Sequence, residues 1–134
     1  MKSVLVLGCS GQDGSYLCKS LLAKNFHVVG LTRQRENLIP NHMRIGIKDE
    51  IEIQTGDLRD FKTISKLIEK FQPDYIYNLA AQSAVGESFS EPLKTLDSIV
   101  NGTLNILEVS RKLEYGGRIF FAGSSEIFGE TVKP

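Results

Sequence analysis

The chain alternates short unbroken apolar runs with stretches in which apolar residues recur at every third or fourth position. An unbroken aliphatic run is typical of a parallel strand that helices cover on both faces, whereas the wider spacing indicates an amphipathic helix. These patterns predict five strands, at residues 4–7, 26–31, 50–54, 74–79 and 118–122. They predict helices at residues 13–24 and 61–71, and a long third helix that Ser90 caps and that Gly116 and Gly117 end. Residues 37–48 show no clean period, and we expect a loop there.

The predicted elements follow one another as strand, helix, strand, strand, helix, strand, helix and strand. Right-handed crossovers between such elements favour a parallel sheet ordered 3-2-1-4-5, which is an α/β, Rossmann-type doubly wound fold. The length of 134 residues fits one domain. We expect the third helix to be mostly core along its apolar face, which consists of Leu93, Leu96, Ile99, Val100, Leu104, Leu107 and Val109.

Three evenly spaced glycines, Gly8, Gly11 and Gly14, follow the first predicted strand and open the first helix. Glycines at such a turn let bare backbone approach a ligand, and the helix that follows directs its free N–H groups and positive dipole end toward it. The spacing differs from the Gly-x-Gly-x-x-Gly fingerprint, but the strand before it and the helix after it fit a dinucleotide site. The alternative is an ordinary strand-to-helix turn.

Two arginines follow the second predicted strand, in the sequence Thr32-Arg33-Gln34-Arg35. An acidic residue at this place binds the ribose hydroxyls of NAD, whereas an arginine accepts the 2′-phosphate of NADP. The sequence therefore predicts NADP rather than NAD, with Arg33 as the phosphate ligand because it comes first after the strand. The alternative is a solvated turn with two surface arginines.

Composition and charge narrow the range of partners. Lysine plus arginine and aspartate plus glutamate both number 16, so no net charge indicates a nucleic-acid or membrane partner. The first apolar run is too short for a signal peptide or a membrane span. Cys9 and Cys18 lack metal-ligand spacing and are predicted to be structural thiols in a reducing cytoplasm. We assign no chemistry to His27 or His42, and we predict no metal site.

Several segments resemble the extended short-chain dehydrogenase/reductase superfamily, and among its members the GDP-mannose 4,6-dehydratase family. They are GCSGQDGSYL at residues 8–17, TGDLRD at 55–60, NLAAQS at 78–83, GTLNILE at 102–108 and GSSEIFG at 123–129. Many relatives carry an asparagine three residues before the glycine of the fourth segment, where this chain has Ile99. The resemblance covers the whole chain but only the N-terminal part of that family's enzyme.

The resemblance implies that the second and third segments bind the cofactor. Asp57 and Leu58 would contact the adenine, although an aspartate after a strand can equally be a turn or N-cap residue. The small residues after the fourth strand would approach the ribose and pyrophosphate, and Ser83 could face either the cofactor or the sugar. The predicted cofactor-binding residues are Gly8, Ser10, Gly11, Gln12, Asp13, Gly14, Arg33, Asp57, Leu58, Leu79, Ala80, Ala81, Gln82 and Ser83.

The last segment resembles the active-site strand end of these dehydratases. Ser124 stands in place of a threonine whose hydroxyl polarises the sugar oxygen, and Glu126 stands at the place of the acid. The resemblance implies that Glu126 removes the C5 proton of a 4-keto sugar and assists the loss of the C6 hydroxyl, before hydride returns to C6. The alternative for Glu126 is a solvated loop carboxylate.

The family's Tyr-x-x-x-Lys pair is absent, because none of the four tyrosines has a lysine four residues later. We therefore expect residues 1–134 to be an NADP-binding domain, inactive alone, of a longer enzyme that acts on a nucleotide sugar. Its relatives form homodimers or homotetramers, often through helices near residues 90–112. The alternatives are a related nucleotide-sugar epimerase or reductase, which Glu126 argues against, and a non-catalytic dinucleotide-binding module.

Overall fold

A computed structural model describes residues 1–34, 39–80, 89–124 and 129. Its five strands form one parallel sheet in the order β3-β2-β1-β4-β5, which confirms the predicted fold class and strand order. The strands are β1 (Ser3–Leu7), β2 (His27–Thr32), β3 (Glu52–Thr55), β4 (Tyr75–Asn78) and β5 (Arg118–Phe121). Each lies within two residues of its predicted bounds.

The helices described are α1 (Gln12–Ala23), α2 (Pro40–Ile45), α3 (Phe61–Phe71), α4 (Pro92–Leu96) and α5 (Gly102–Lys112). A π-helical segment, Asp97–Asn101, joins α4 to α5. The bounds of α3 match the prediction at both ends. Asp60 caps it by accepting a hydrogen bond from the backbone N–H of Lys62, and Gln72 ends it with a left-handed φ of 42°.

Helix α2 lies where the sequence predicted a loop, so that prediction is wrong. Pro40 begins the helix at its first turn, where its fixed φ suits a helix and its missing N–H costs nothing. Gly46 ends the helix with φ of 72°, a left-handed conformation that favours glycine. Six residues are too few for a helical period to stand out. The side chains of Ile39, His42 and Ile47 are buried, and Ile47 packs in the core cluster that contains Val4 and Val6 of β1.

One expectation for the third helix is also wrong. The N-cap of α4 is Glu91 rather than Ser90, because Pro92 occupies the first turn and a proline disfavours a helical conformation in the residue before it. The predicted long helix itself is present, since Pro92–Lys112 is helical without a break and the π-helical segment lies within it. None of the described helices is long and apolar enough to cross a membrane.

The centre of the sheet is covered on both faces, as β1 shows, whereas the edge strand β5 is exposed along its length. Leu5 and Leu7 point to one face, into a core cluster with α3 and α5 residues such as Ile64 and Ile106. Val4 and Val6 point to the other face, into a cluster that contains Cys18 and Leu21 of α1 as well as Ile47 beyond α2. Side chains alternate along a strand, so a run that is apolar at every position is buried on both sides.

The predicted apolar face of the third helix is mostly exposed, which corrects the expectation that it is core. Helix α5 buries a different stripe that contains Ile106 and Val109, and only Val109 belongs to the predicted face. A helix buries only one stripe against a sheet, and these helices carry two. We call the exposed one the outer stripe; it consists of Leu93, Leu96, Val100, Leu104 and Leu107, whose exposures range from 52% to 81%.

Candidate functional site

A cavity of about 600 Å³ lies outside the carboxyl ends of the strands, where doubly wound folds bind their ligands. Its floor is the glycine loop between β1 and α1, and its walls come from the ends of β2, β3 and β4 and from α4. The residues that line it are Gly8, Ser10, Gly11, Leu31, Thr32, Arg33, Gln34, Gly56, Asp57, Leu58, Arg59, Leu79, Ala80, Glu91, Lys94, Thr95 and Ser98.

The glycine loop is held tightly between two strands and a helix. Gly8 has φ of 84°, and a Cβ there would lie only 2.9 Å from backbone atoms of Leu79 and Ala80. A Cβ on Gly14 would overlap the Gly8 carbonyl oxygen, so that helix α1 can begin this close to β1 only with glycine at that place. A Cβ on Gly11 would meet only the Gly8 oxygen, at an ordinary 3.5 Å, and Gly11 faces the cavity.

The loop and the first turn of α1 leave backbone N–H groups without a partner among the described residues: that of Ser10 at the cavity, and those of Gln12 and Asp13 in the exposed first turn. The N–H groups of Gly8 and Cys9 donate to the carbonyl of Leu31, and that of Gly11 donates to Gly8. Within the part of the chain that the structure describes, no hydrogen bond uses the N–H of Ser10, Gln12 or Asp13. Open N–H groups at a helix N-terminus together with the helix dipole form an anion site.

The end of β2 supplies a polar anchor and a cation. The hydroxyl of Thr32 donates to the hydroxyl of Ser10 at 2.9 Å and accepts from the backbone N–H of Gln34 at 3.1 Å. Arg33 is exposed at the cavity wall, and it makes no ion pair or hydrogen bond with any other described residue. A guanidinium without a protein partner is available to an anionic ligand.

Asp57 lines the cavity beyond the end of β3, the strand beside β2, and is bound by Arg59. The Arg59 guanidinium donates to both carboxylate oxygens, at 2.7–3.2 Å, and also reaches Asp97 at 3.1 Å. The hydrogen bonds from Arg59 lower the pKa of the Asp57 carboxyl below its usual 3.8, and the nearby charge of Arg33 adds to the effect. Asp57 is therefore an anion at neutral pH, with Arg59 fixing its orientation.

Helix α5 fixes the loop that carries Asp57 and Leu58. The side-chain amide of Asn105 donates to the backbone carbonyls of Leu58 and Arg59, at 3.1 Å and 2.8 Å. A Cβ on Gly102 would lie 2.8 Å from Cδ2 of Leu58, so this glycine lets the leucine side chain fit beneath the cavity wall. Gly102 and Asn105 of α5 thus hold this loop in place, the first by close packing and the second by hydrogen bonds.

The end of β4 is anchored by the buried side chain of Asn78. Its Oδ1 accepts from the backbone N–H of Ala80 at 3.2 Å, and the N–H of Leu79 donates to the carbonyl of Leu7 at 3.0 Å. Leu79 and Ala80 are thereby held beside Gly8 at the cavity. Ala81, Gln82, Ser83 and Glu126, which the sequence also predicted as site residues, lie outside the described residues.

The remaining predicted residues do not line the cavity. Gln12 and Asp13 are exposed in the first turn of α1, and Gly14 is buried behind the glycine loop. Ser124 is exposed just beyond β5. Predicted residues that do line the cavity are Gly8, Ser10, Gly11, Arg33, Asp57, Leu58, Leu79 and Ala80.

Sequence reasoning assigned no role to several residues that support or line the site. Supporting residues are Asn41, His42, Asn78 and Asn105, and the further lining residues are Leu31, Thr32, Gln34, Gly56, Arg59, Glu91, Lys94, Thr95 and Ser98. The usable signals were the position of Thr32 directly after a predicted strand, and the family-like segments that contain Arg59, Asn78 and Asn105. No group of three potential metal ligands occurs among the described residues.

Comparison with known proteins gives a consistent result. The family model for GDP-mannose 4,6 dehydratase matches residues 5–134. The chain is 40% identical to GDP-mannose 4,6 dehydratase 1 of Arabidopsis thaliana, over 99% of this chain and 40% of that protein. It is 39% identical to the GDP-mannose 4,6-dehydratase of Yersinia enterocolitica, over 96% of this chain and 37% of that protein. The chain thus spans about 40% of the length of these relatives.

Solved structures show the same fold. UDP-glucose-4-epimerase from Stenotrophomonas maltophila, with bound NAD and formylated UDP-arabinopyranose, superposes with a TM-score of 0.84 at 26% identity, over 98% of this chain and 39% of that one. The Bifidobacterium longum UDP-glucose 4-epimerase, in complex with NAD+ and UDP, gives 0.82 at 25% identity, over 96% of this chain and 38% of that one. Since the family model covers nearly every residue, the chain belongs to the GDP-mannose 4,6-dehydratase family.

Proposed function

We propose that residues 1–134 are the NADP-binding part of a longer nucleotide-sugar 4,6-dehydratase, which converts GDP-mannose to GDP-4-keto-6-deoxymannose. The observation that carries this proposal is the cavity in which the glycine loop, Arg33 and Asp57 come together at one edge of the sheet. Family membership supports the choice of substrate, and the cavity supports the choice of cofactor site.

The described residues fit a dinucleotide. The open N–H groups at the start of α1 suit a pyrophosphate, and the absence of a side chain at Gly11 leaves room for it. Asp57 can accept a hydrogen bond from the adenine amine while its carboxylate also accepts from Arg59. A cavity of about 600 Å³ is within the usual size range of cofactor sites.

We infer NADP rather than NAD because Arg33, at the end of β2, has no ion-pair partner among the described residues. Arg59 lies between two carboxylates, Asp57 and Asp97, and Lys94 pairs with Glu91. Arg33 is the cavity-lining cation that has no such partner among the described residues, and a 2′-phosphate would supply one.

NADP, when bound, would accept a hydride from C4 of the hexose and return it to C6. Ser124 would donate a hydrogen bond to the sugar oxygen at C4 and so polarise it. Glu126 would remove the C5 proton and give a proton to the leaving C6 hydroxyl. Because no Tyr-x-x-x-Lys pair occurs in residues 1–134, we expect this chain alone to bind the cofactor without turning over sugar.

The outer stripe supports homo-oligomer formation. Its five residues form one apolar face along α4 and α5, larger than the scattered apolar residues of an ordinary surface. Two antiparallel copies of this helix pair would bury the stripe against itself about a two-fold axis, as four-helix interfaces do. We therefore propose that the full-length protein is a homodimer, or a tetramer built from such dimers.

The thiols favour a cytoplasmic location. Cys9 and Cys18 are free and buried, and both lie in one core cluster beside the glycine loop. Free thiols persist in a reducing compartment, whereas disulfides accumulate in oxidising ones.

The cofactor is tested by titrating the chain with NADP+ and NAD+ in a calorimeter, before and after Arg33→Ala. The proposal expects tighter binding of NADP+, and a loss of that preference in the variant by roughly tenfold or more. Arg44→Ala is the matched control, because Arg44 is exposed on α2 and does not line the cavity. Equal affinity for both cofactors in the unaltered chain would reject the NADP assignment.

The reaction is tested on the full gene product with GDP-mannose and catalytic NADP+. The expected product has lost one water and carries a ketone, which mass spectrometry after borodeuteride reduction detects. Glu126→Gln should abolish water loss while leaving NADP+ affinity unchanged. Interconversion of UDP-glucose and UDP-galactose instead would favour the epimerase alternative.

A further inference from the structure

Two carbonyl groups of the glycine loop, those of Cys9 and Ser10, point into helix α2. The imidazole Nε2 of His42 lies 2.8 Å from the carbonyl oxygen of Cys9, and the side-chain amide of Asn41 donates to the carbonyl of Ser10 at 2.9 Å. Both donors are more than 30 residues away along the chain. His42 is 1% exposed, so its ring is part of the interior.

The ring of His42 is the main donor to the Cys9 carbonyl. The single hydroxyl proton of Ser15 lies between this carbonyl, at 3.1 Å, and the carbonyl of Gly11, at 2.7 Å, and the shorter distance favours Gly11. Since a carbonyl oxygen can only accept, Nε2 of His42 must carry the proton. A buried imidazole is costly unless it is hydrogen-bonded, and this bond to the loop compensates for the burial.

The orientation of one peptide unit connects this contact to the cavity. In a planar trans peptide the carbonyl and the N–H point in opposite directions. The carbonyl of Cys9 and the N–H of Ser10 belong to the same unit, so holding the carbonyl toward α2 directs that N–H toward the cavity. Ser10 lines the cavity, and its N–H has no partner among the described residues.

We propose that His42, assisted by Asn41, is a positioning residue for the pyrophosphate of the cofactor, acting through the Cys9–Ser10 peptide. Helix α2 thus sets the direction of a phosphate-binding N–H from behind the loop. This inference rests on the proposed dinucleotide site.

The test compares ligands with and without a pyrophosphate. The chain is titrated calorimetrically with NADP+, with ADP and with adenosine 2′-phosphate, which has the adenine and the 2′-phosphate but no pyrophosphate. His42→Leu should weaken NADP+ and ADP by roughly tenfold, as expected for a lost hydrogen bond to a loop carbonyl, and leave adenosine 2′-phosphate unchanged. His42→Gln, which retains an N–H donor at a similar reach, should recover most of the loss.

Two controls make the result specific. His27→Gln alters the other histidine, which is exposed and lies 3.3 Å from Glu52 at the amino end of β2, and it should change no affinity. Asn41→Ala removes the donor to the neighbouring Ser10 carbonyl, and we expect the same ligand selectivity with a smaller loss. This variant also decides the matter if His42→Leu does not fold.

The outcomes separate the inference from the proposed function. If the unaltered chain binds neither NADP+ nor ADP, the dinucleotide site itself is wrong. If it binds both, equal weakening of all three ligands in folded His42→Leu would mean that His42 only supports the fold. Unchanged ADP affinity in both His42→Leu and Asn41→Ala would also overturn the inference.

Discussion

The carbonyl oxygen of Gly8 occupies the space in which a side chain at Gly14 would begin. The nearest atoms also include Cα of Cys9, at 3.0 Å, and all of them belong to the backbone. Flexible side chains can move aside, but a backbone that is hydrogen-bonded to Leu31 cannot move without losing those bonds. The start of α1 is therefore fixed by sterics rather than by helix preference.

Gly14→Ala should consequently destabilise the fold. Alanine favours a helix over glycine by about 1 kcal/mol, but the overlap with Gly8 costs more, and we expect a net loss of about 1–3 kcal/mol. Urea denaturation followed by circular dichroism measures the free energy of unfolding.

Gly11→Ala is the matched comparison, since its Cβ would make only an ordinary contact. We expect a nearly unchanged free energy of unfolding but much weaker NADP+ binding, because the new methyl faces the cavity. A stable Gly14→Ala variant, or a Gly11→Ala variant with full affinity, would contradict this division of roles.

Asn105 should matter to both the fold and the cofactor. Asn105→Ala removes two hydrogen bonds to the carbonyls of Leu58 and Arg59, and we expect a loss of stability of about 1–2 kcal/mol. Asn105→Asp should cost more, because a carboxylate facing those carbonyls repels them. NADP+ affinity should fall in the same order if the loop with Asp57 binds the adenine. Equal affinities in the unaltered chain and both variants would exclude that role for the loop.

The ion pair between Arg59 and Asp57 makes part of the free energy of unfolding dependent on pH. A carboxyl whose pKa is lower in the folded than in the unfolded chain stabilises the fold above the unfolded pKa, and the contribution is lost as pH falls through the folded pKa. Arg59→Ala should raise the pKa of Asp57 toward its usual 3.8, as measured by carboxyl ¹³C shifts. The stability difference should be below about 1 kcal/mol near neutral pH, because the pair is solvent-screened, and should vanish well below pH 3.8. If the two chains still differ in free energy of unfolding well below pH 3.8, the difference does not come from the ionised pair.

The two cysteines should be inert in the folded chain. Burial raises the pKa of both the Cys9 and the Cys18 thiol to about 12. Their contribution to stability is complete below the ordinary pKa of 9.0, and it is lost as pH rises toward 12. At moderately alkaline pH a disulfide reagent should label neither thiol until denaturant unfolds the chain. Rapid labelling of the native chain would place one of them at the surface.

Periodicity predicted the elements whose burial is complete or whose helical face is regular. The run at residues 4–7 is apolar at every position because β1 is covered on both faces, and α3 has apolar residues at helical spacing from end to end. Helix α2 escaped prediction because its signals are a proline, a glycine and one buried histidine. The importance of His42 depends on a contact with Cys9 that no local pattern contains.

The same limit applies to the outer stripe. Apolar residues at helical spacing predict a covered face, but they do not say whether the cover is this sheet or another molecule. Helix α5 buries Ile106 and Val109, with Gly102 and Ser110, whereas Leu104 and Leu107 on another stripe remain exposed. Both stripes carry large aliphatic side chains, so the residue types alone do not show which stripe faces the sheet.

The outer stripe gives the final prediction, which concerns self-association. If two copies meet there, the chain should show a concentration-dependent increase in mass by sedimentation or light scattering. Leu104→Lys should make it monomeric, because a charge in the centre of an apolar interface loses its hydration without gaining a partner. The free energy of unfolding of the monomer should change by less than about 0.5 kcal/mol, since Leu104 is 57% exposed.

Lys66→Leu is the matched control for that experiment, because it adds an apolar side chain on the exposed face of α3, outside the outer stripe. It should leave the association constant unchanged, whereas non-specific hydrophobic association would increase that constant. A Leu104→Lys chain that associates as strongly as the unaltered one would exclude the stripe as the interface. In that case the exposed aliphatic face would be covered by some other part of the full-length protein.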